Sequence, residues 1–294
     1  MALGVLSRYL DATVLSRLAG RRLQPRGLVS GRLAGPHASP LRGFAVEFAG
    51  HREYVWGDDP KHIDWRLYYT RDKYFVKQYQ AETNLVCHLA IDVSASMGYG
   101  GGAQQKFLYA ARLAASLAYA AIERRDQVSL TTLGDERLAF VPPSRGAAQL
   151  ARISDELDRA ELAGKTDLAA SLRQLCGRIG RREIVLVFSD LFTDLEQLDE
   201  VLHRMRFQRL DVVLFQVLHH DEIEFDFTGT TKFVGLEEMA EFVAESHELR
   251  GAYLEAFARR QARLTEICGR NQVDLALIDT SRNPAEALVG YLNS

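Results

Sequence analysis

The residues with the clearest chemical potential stand in one short stretch, Asp92-Val93-Ser94-Ala95-Ser96, where side-chain oxygens recur at every second position. It follows a mostly apolar run, residues 85–91. A second apolar run, 184–188, ends in Ser189-Asp190, and Gly164-Lys165-Thr166 places a further hydroxyl at the entrance to a predicted helix. Two carboxylates at the tip of a buried sheet repel each other and need a counter-charge. Asp92 and Asp190 with the hydroxyls of Ser94, Ser96 and Thr166 form a hard oxygen set without histidine or cysteine. Such a set favours Mg²⁺ or Mn²⁺ over zinc and leaves coordination positions for water and a visiting oxygen. The blander alternative is that Asp92 and Ser94 only cap the following helix, a common task for both residue types.

The elements that must position these groups follow from apolar periodicity. Strands are expected at 85–91, 128–133, 137–141, 184–188, 212–218 and 275–278, and helices at 104–125, 147–160, 167–179, 195–206, 248–271 and 285–291. Strands alternating with crossover helices predict a three-layer α/β domain with a doubly wound, mostly parallel sheet. Gly134-Asp135 predicts a hairpin that adds one antiparallel edge strand. The two most apolar strands, ending at Asp92 and Asp190, belong side by side in the centre, and ligands bind beyond the carboxyl ends of such strands where the strand order reverses. Ahead of this domain (84–294) lie a β-rich subdomain (44–83) and a basic helical segment with a Gly- and Pro-punctuated linker (1–43).

Composition narrows the class. The 294 residues are 47% hydrophobic and 26% charged with a net charge of −3, an ordinary globular balance that argues against a basic nucleic-acid binder. Three scattered cysteines, Cys87, Cys176 and Cys268, suit reduced thiols in the cytoplasm better than a disulfide framework. No apolar run is long enough to span a bilayer, and no secretion signal is recognised at the start. The charge is unevenly spread: residues 1–46 hold seven arginines and one acid, whereas residues 221–248 hold nine carboxylates and only Lys232. Leu6, Leu10, Val14, Leu15 and Leu18 recur at helical spacing, which favours an amphipathic helix over an organellar leader. Both charge clusters read as solvated faces or as opposite-sign docking patches.

The sequence resembles the bacterial domain of unknown function 58 family and, at the oxygen set, the metal-ion-dependent adhesion site of von Willebrand factor type A domains. The resemblance is carried by Gly43-Phe44-Ala45-Val46-Glu47-Phe48, Arg52-Glu53-Tyr54, Gly57-Asp58-Asp59-Pro60, His62-Ile63-Asp64-Trp65-Arg66, Val76-Lys77 and Glu82, followed by Asp92-Val93-Ser94-Ala95-Ser96-Met97. It implies a von Willebrand type A fold, places Asp92, Ser94, Ser96, Thr166 and Asp190 at the metal, and implies association with MoxR-type AAA+ ATPases.

Two functions follow as expectations. One is a non-catalytic protein-binding module whose bound Mg²⁺ or Mn²⁺ is completed by an acidic side chain of the partner, with Met97, Gly98, Tyr99 and Lys165 forming the partner-binding rim. The other is a metal-assisted hydrolase at the same site, for which no convincing base or nucleophile stands out beyond the ligands. Gly98-Tyr99-Gly100-Gly101-Gly102 lacks the Gly-Lys-Ser/Thr ending of a phosphate loop and reads as a flexible rim loop. Asp58, Asp59 and Asp64 read as turn caps and ion-pair partners rather than a second metal site. His219 and His220, adjacent at a strand end, point to opposite sides and cannot serve one ion.

Overall fold

The computed structural model describes residues 8–10, 14–15, 46–56, 58, 60–81, 85–134, 138–227, 229–233 and 242–293. The chain divides into two compact units, 26–84 and 1–25 with 85–294.

In the smaller unit, β1 (Val46–Glu53) pairs antiparallel with β2 (Phe75–Ala81), with a register shift between Phe48 and Gly50. Between them lies α1 (Trp65–Arg71), a helix where β structure is expected from the Trp, Tyr and Thr content. Its start is set by Asp64, whose carboxylate accepts from the amides of Arg66 and Leu67; Asp72, in the left-handed conformation, closes it by donating to the Tyr68 carbonyl. Asp64 also bonds the His51 ring at 2.9 Å. Asp58 receives the Arg52 guanidinium in two bonds of 2.8 and 2.7 Å, which holds its carboxyl below the usual range. Asp58 and Asp64 therefore serve turns, while Asp59 lies outside the described residues.

The larger unit is built on six strands: β3 (Val86–Asp92), β4 (Gln127–Leu133), β5 (Ala139–Ser144), β6 (Ile184–Ser189), β7 (Asp211–Leu218) and β10 (Asp274–Asp279). Their order is β10-β7-β6-β3-β4-β5, parallel throughout except for β5 at one edge. The sheet is thus doubly wound, with the reversal of strand order between β3 and β6. β5 runs further than its expected 137–141 and includes Pro142 and Pro143, which an edge strand tolerates because one row of its amides needs no partner.

Alternate residues of the central strands feed two cores. Leu89, Ile91, Leu186, Phe188, Phe215 and Val217 face α2 (Lys106–Glu123), α3 (Ala147–Arg159) and α8 (Pro284–Asn293). Ala90, Val185, Val187 and Leu214 face α4 (Leu168–Cys176), α5 (Leu195–Phe207) and α7 (Ser246–Asn271). Each such aliphatic or aromatic side chain contributes roughly 1.5–3 kcal/mol by leaving water. α2 is alanine-rich and apolar on most of its surface because it lies flat over the sheet. Two elements carry no strong periodic signal: α6 (His220–Glu224) and the small hairpin of β8 (Thr230–Phe233) with β9 (Phe242–Glu245), all inside the acidic segment. The expected N-terminal helix falls mostly outside the described residues; within it, Tyr9 and Val14 are buried in the larger unit's core.

One buried polar chain crosses the sheet. His88 on β3 lies opposite Ser129 on β4, and its Nε2 reaches Glu183 Oε2 at 2.7 Å. A carboxylate only accepts, so Nε2 donates to Glu183, and Nδ1 shares the other bond with the Ser129 hydroxyl. Ser129 is fully buried, so this hydroxyl–imidazole–carboxylate chain has no access to a substrate. Burial pushes Glu183 up, but the bonds from His88 and the Gly180 amide outweigh it and hold the carboxyl below its ordinary 4.5. The resulting stability is present above that value and is lost as pH falls through the folded-state pKa. Glu183→Gln is therefore expected to have a shallower acid limb in thermal melts below pH 4.5 than wild type; limbs of equal steepness would contradict this role.

Candidate metal centre

Asp92 and Asp190 stand at the carboxyl ends of the neighbouring strands β3 and β6, Ser94 and Ser96 follow in the turn after β3, and the loop carrying Thr166 is bonded to that turn. Asp92 is the last residue of β3 and is 3% exposed. Its Oδ1 accepts from the Ser94 amide at 2.9 Å and its Oδ2 from the Ser189 hydroxyl at 2.6 Å. Ser94 and Ser96 are linked through their hydroxyls at 3.0 Å. The loop carrying Thr166 is fastened to the same turn by bonds from the Ala95 amide to the Gly164 carbonyl and from the Ala163 amide to the Val93 carbonyl. Thr166 donates to the Leu133 carbonyl at 3.3 Å, which also receives the Val93 amide. Asp190, 2% exposed, follows β6 directly. The capping alternative holds only in part: the Asp92 carboxylate does bind the Ser94 amide, but Ser94 makes no side-chain cap to the 3-10 turn Ala95–Gly98 that follows.

The electrostatics of the two carboxylates differ. Asp190 Oδ2 receives the Lys106 ammonium at 2.9 Å and its Oδ1 the Phe192 amide at 3.2 Å. Lys106, the first residue of α2, has no solvent exposure, and its Nζ also reaches Glu222 Oε1 on α6 at 2.8 Å. The ammonium lies 5.9 Å from the centre of the Phe192 ring. Burial works against its charge, but Asp190 and Glu222 more than offset this and raise its pKa. Among the described residues the donors to Asp92 are the hydroxyls of Ser189 and Ser94 and the Ser94 amide. Burial first and Asp190 second push it up to about 6, against the bonds from Ser189 and Ser94. A buried carboxylate with no cation of its own among the described residues, bonded by serine hydroxyls, is the observation that fits a hard divalent ion here. Among the described residues no group of three or more His, Cys, Asp or Glu is arranged to hold a metal, so hydroxyls must complete such a site.

The expected rim is only partly exposed. Lys165 is exposed and Gly98 and Tyr99 are half-buried, but Met97 is wholly buried in the core and cannot touch a partner. Its place is explained by the 3-10 turn, which aims this side chain inward under α2. The glycine-rich stretch after it is packed rather than open at its centre. The Tyr99 hydroxyl donates to Asp221 at 3.0 Å and its ring meets His219 edge-on. Gly100, at φ +93°, leaves no room for a Cβ, which would lie 2.7 Å from the Gln104 carbonyl oxygen and 2.9 Å from the His219 ring. His219 caps α6 and His220 faces Asp279 at 3.3 Å, so the two histidines serve separate contacts.

Sequence reasoning missed Lys106, Ser189 and Glu222 as members of the site. The available signal was Lys106 itself: a cation in the first turn of an apolar helix opposes the helix dipole and needs a strong reason to be there.

The doubly wound sheet with this strand order and one antiparallel edge strand is the α/β architecture expected of a von Willebrand factor type A-like domain. The family model described as protein of unknown function DUF58 matches residues 50–263, and the chain belongs to that family. Uncharacterized protein Mb1516 of Mycobacterium bovis and Uncharacterized protein Rv1480 of Mycobacterium tuberculosis are each 23% identical over 255 residues, covering 86% of this chain and 79% of theirs. Among solved structures, BatB from Bacteroides thetaiotaomicron matches 71% of this chain and 98% of its own at 15% identity and a TM-score of 0.48. The SpRpn10 VWA domain matches 71% and 95% at 13% identity and a TM-score of 0.41.

Proposed function

We propose that this protein is a non-catalytic protein-interaction module that works through a divalent ion, Mg²⁺ or Mn²⁺, held by Asp92, Ser94, Ser96, Thr166 and Asp190. The observation that carries the reading is the buried Asp92 carboxylate, which has no cationic partner among the described residues yet lies among hydroxyl oxygens at the switch point of the sheet. When bound, the ion supplies the missing positive charge and an open coordination position for an anionic oxygen. The chain's own residues do the rest. Ser189 and the Ser94 amide fix the Asp92 carboxylate, the Ser94–Ser96 pair presents two hydroxyls along one side, and the bonds at Ala95 and Ala163 hold the Thr166 loop against them.

The visiting group is an acidic side chain of a partner protein, and the resemblance noted above makes a MoxR-type AAA+ ATPase the partner of choice. Exposed Lys165, with half-buried Gly98 and Tyr99, forms the surrounding rim. Around the two aspartates stand hydroxyls, backbone amides and the paired ammonium of Lys106. This supports binding over bond cleavage, because the Glu222 carboxylate, the neighbouring group that could serve as a base, is already held by Lys106 and the His219 amide. Three free, buried thiols support a place in the reducing cytoplasm. Among the described residues no helix is long and apolar enough to cross a membrane.

The test is direct binding between the purified chain and a MoxR-type ATPase from the same genome, in Mg²⁺ and in chelator. Binding is expected in Mg²⁺ and lost both in chelator and in Asp92→Ala. Binding indifferent to chelator and to Asp92 would overturn the reading.

A further inference from the structure

The position of Lys106 breaks two local rules at once. It is a lysine with no solvent exposure, it begins a helix, and it therefore sits at the positive end of that helix's dipole. Removing an ammonium from water is costly unless it is paired and its donors are satisfied. Here the pairing is with two carboxylates from distant parts of the chain, Asp190 after β6 and Glu222 on α6, at 2.9 and 2.8 Å.

Glu222 is itself fixed at both ends. Its second carboxylate oxygen accepts the His219 amide at 2.7 Å, and its backbone carbonyl receives the Tyr253 hydroxyl at 2.7 Å. The nearby Arg260 guanidinium donates to the carbonyls of Leu191 and Thr193, each at 2.7 Å, while its charge also acts on Asp190.

We propose that Lys106 is a resident monovalent cation that sets the charge, and hence the divalent-ion affinity, of the Asp92–Asp190 centre. This inference rests on the metal reading above and adds the device that tunes it. Asp92, Asp190 and Glu222 with Lys106 leave a net negative cluster, on which the Arg260 guanidinium also acts through Asp190. Lys106 acts as a positioning residue rather than a ligand. It holds the Asp190 carboxylate against the start of α2 and neutralises most of it, so that Asp92 faces the ion as the principal charge. Glu222, on the far side of the ammonium, determines how much of that positive charge Asp190 feels.

The charge count makes predictions of opposite sign, read as the Mn²⁺ dissociation constant from the electron paramagnetic resonance signal of free Mn²⁺ over the full-length chain. Lys106→Met removes the internal cation and is expected to tighten Mn²⁺ binding roughly tenfold or more. Glu222→Gln removes an anion and is expected to weaken it roughly tenfold. The double variant restores the original net charge and is expected to return to within about threefold of wild type. Thermal melts in chelator supply a second readout. Lys106→Met is expected to melt well below wild type without metal and to recover most of the difference in Mn²⁺.

If Lys106→Met does not fold in any condition, Glu222→Gln and the double variant still decide. A wild-type chain that binds no Mn²⁺ would overturn the metal reading and this inference with it. Wild-type binding that is lost in Asp92→Ala, but matched within about twofold by Glu222→Gln and by any folded Lys106→Met, would leave the metal reading standing and overturn the role of Lys106.

Discussion

Asp92→Asn is expected to make the metal-free protein more stable while abolishing its response to Mg²⁺. The side chain is almost wholly buried, faces a second carboxylate at Asp190 and has no cation of its own among the described residues. A neutral side chain of the same shape keeps room for the Ser189 hydroxyl and removes the uncompensated charge, a gain of about 1–3 kcal/mol. The wild type instead gains from the ion: a hundredfold excess of Mg²⁺ over its dissociation constant is worth about 2.7 kcal/mol. Melting curves in chelator and in excess Mg²⁺ should therefore cross, with the variant higher in the first condition and the wild type at least level in the second. A variant less stable than wild type without metal, or equally stabilised by Mg²⁺, would contradict the assignment of Asp92.

Phe188→Ala should be among the most damaging single truncations. Phe188 and Phe215 have no solvent exposure and stack with ring centres 4.8 Å apart and planes within 9°. They form the floor of the core beneath α2, and Phe188 stands two residues before Asp190. Removing a fully buried ring costs about 3–5 kcal/mol, because the surrounding strands cannot close the cavity. In a domain of this size that lowers the melting temperature by roughly 6–20 °C. The oxygen donors are untouched, so the folded fraction at low temperature should still respond to Mg²⁺. A loss below about 1 kcal/mol would place the ring outside the core.

The larger unit was legible in the sequence because its signals are long and redundant. The runs that become β3, β6 and β7 are nearly continuous in apolar residues, as strands covered on both faces must be. The Gly134-Asp135 turn announced the antiparallel edge. The oxygen set was legible because Asp92, Ser94 and Ser96 are close in sequence and Asp190 ends a second such run.

Other features were hidden for physical reasons. The helix Trp65–Arg71 is made of side chains that favour strands, and only the Asp64 cap reveals it. Met97 sits beside the site in sequence but points into the core, because a single 3-10 turn reverses its direction. Lys106, Asp190 and Glu222 are brought together only by tertiary structure, and no local pattern joins residues so far apart along the chain.

The most direct test of the central claim is a crystal of the full chain grown with Mn²⁺ and measured for anomalous scattering. The account predicts one strong peak at the carboxyl end of β3 and β6, within coordination reach of oxygens from Asp92, Ser94 and Ser96, with Thr166 and Asp190 beside it. A map without a peak there, with Asp92 still bonded only to Ser189 and the Ser94 amide, would contradict it.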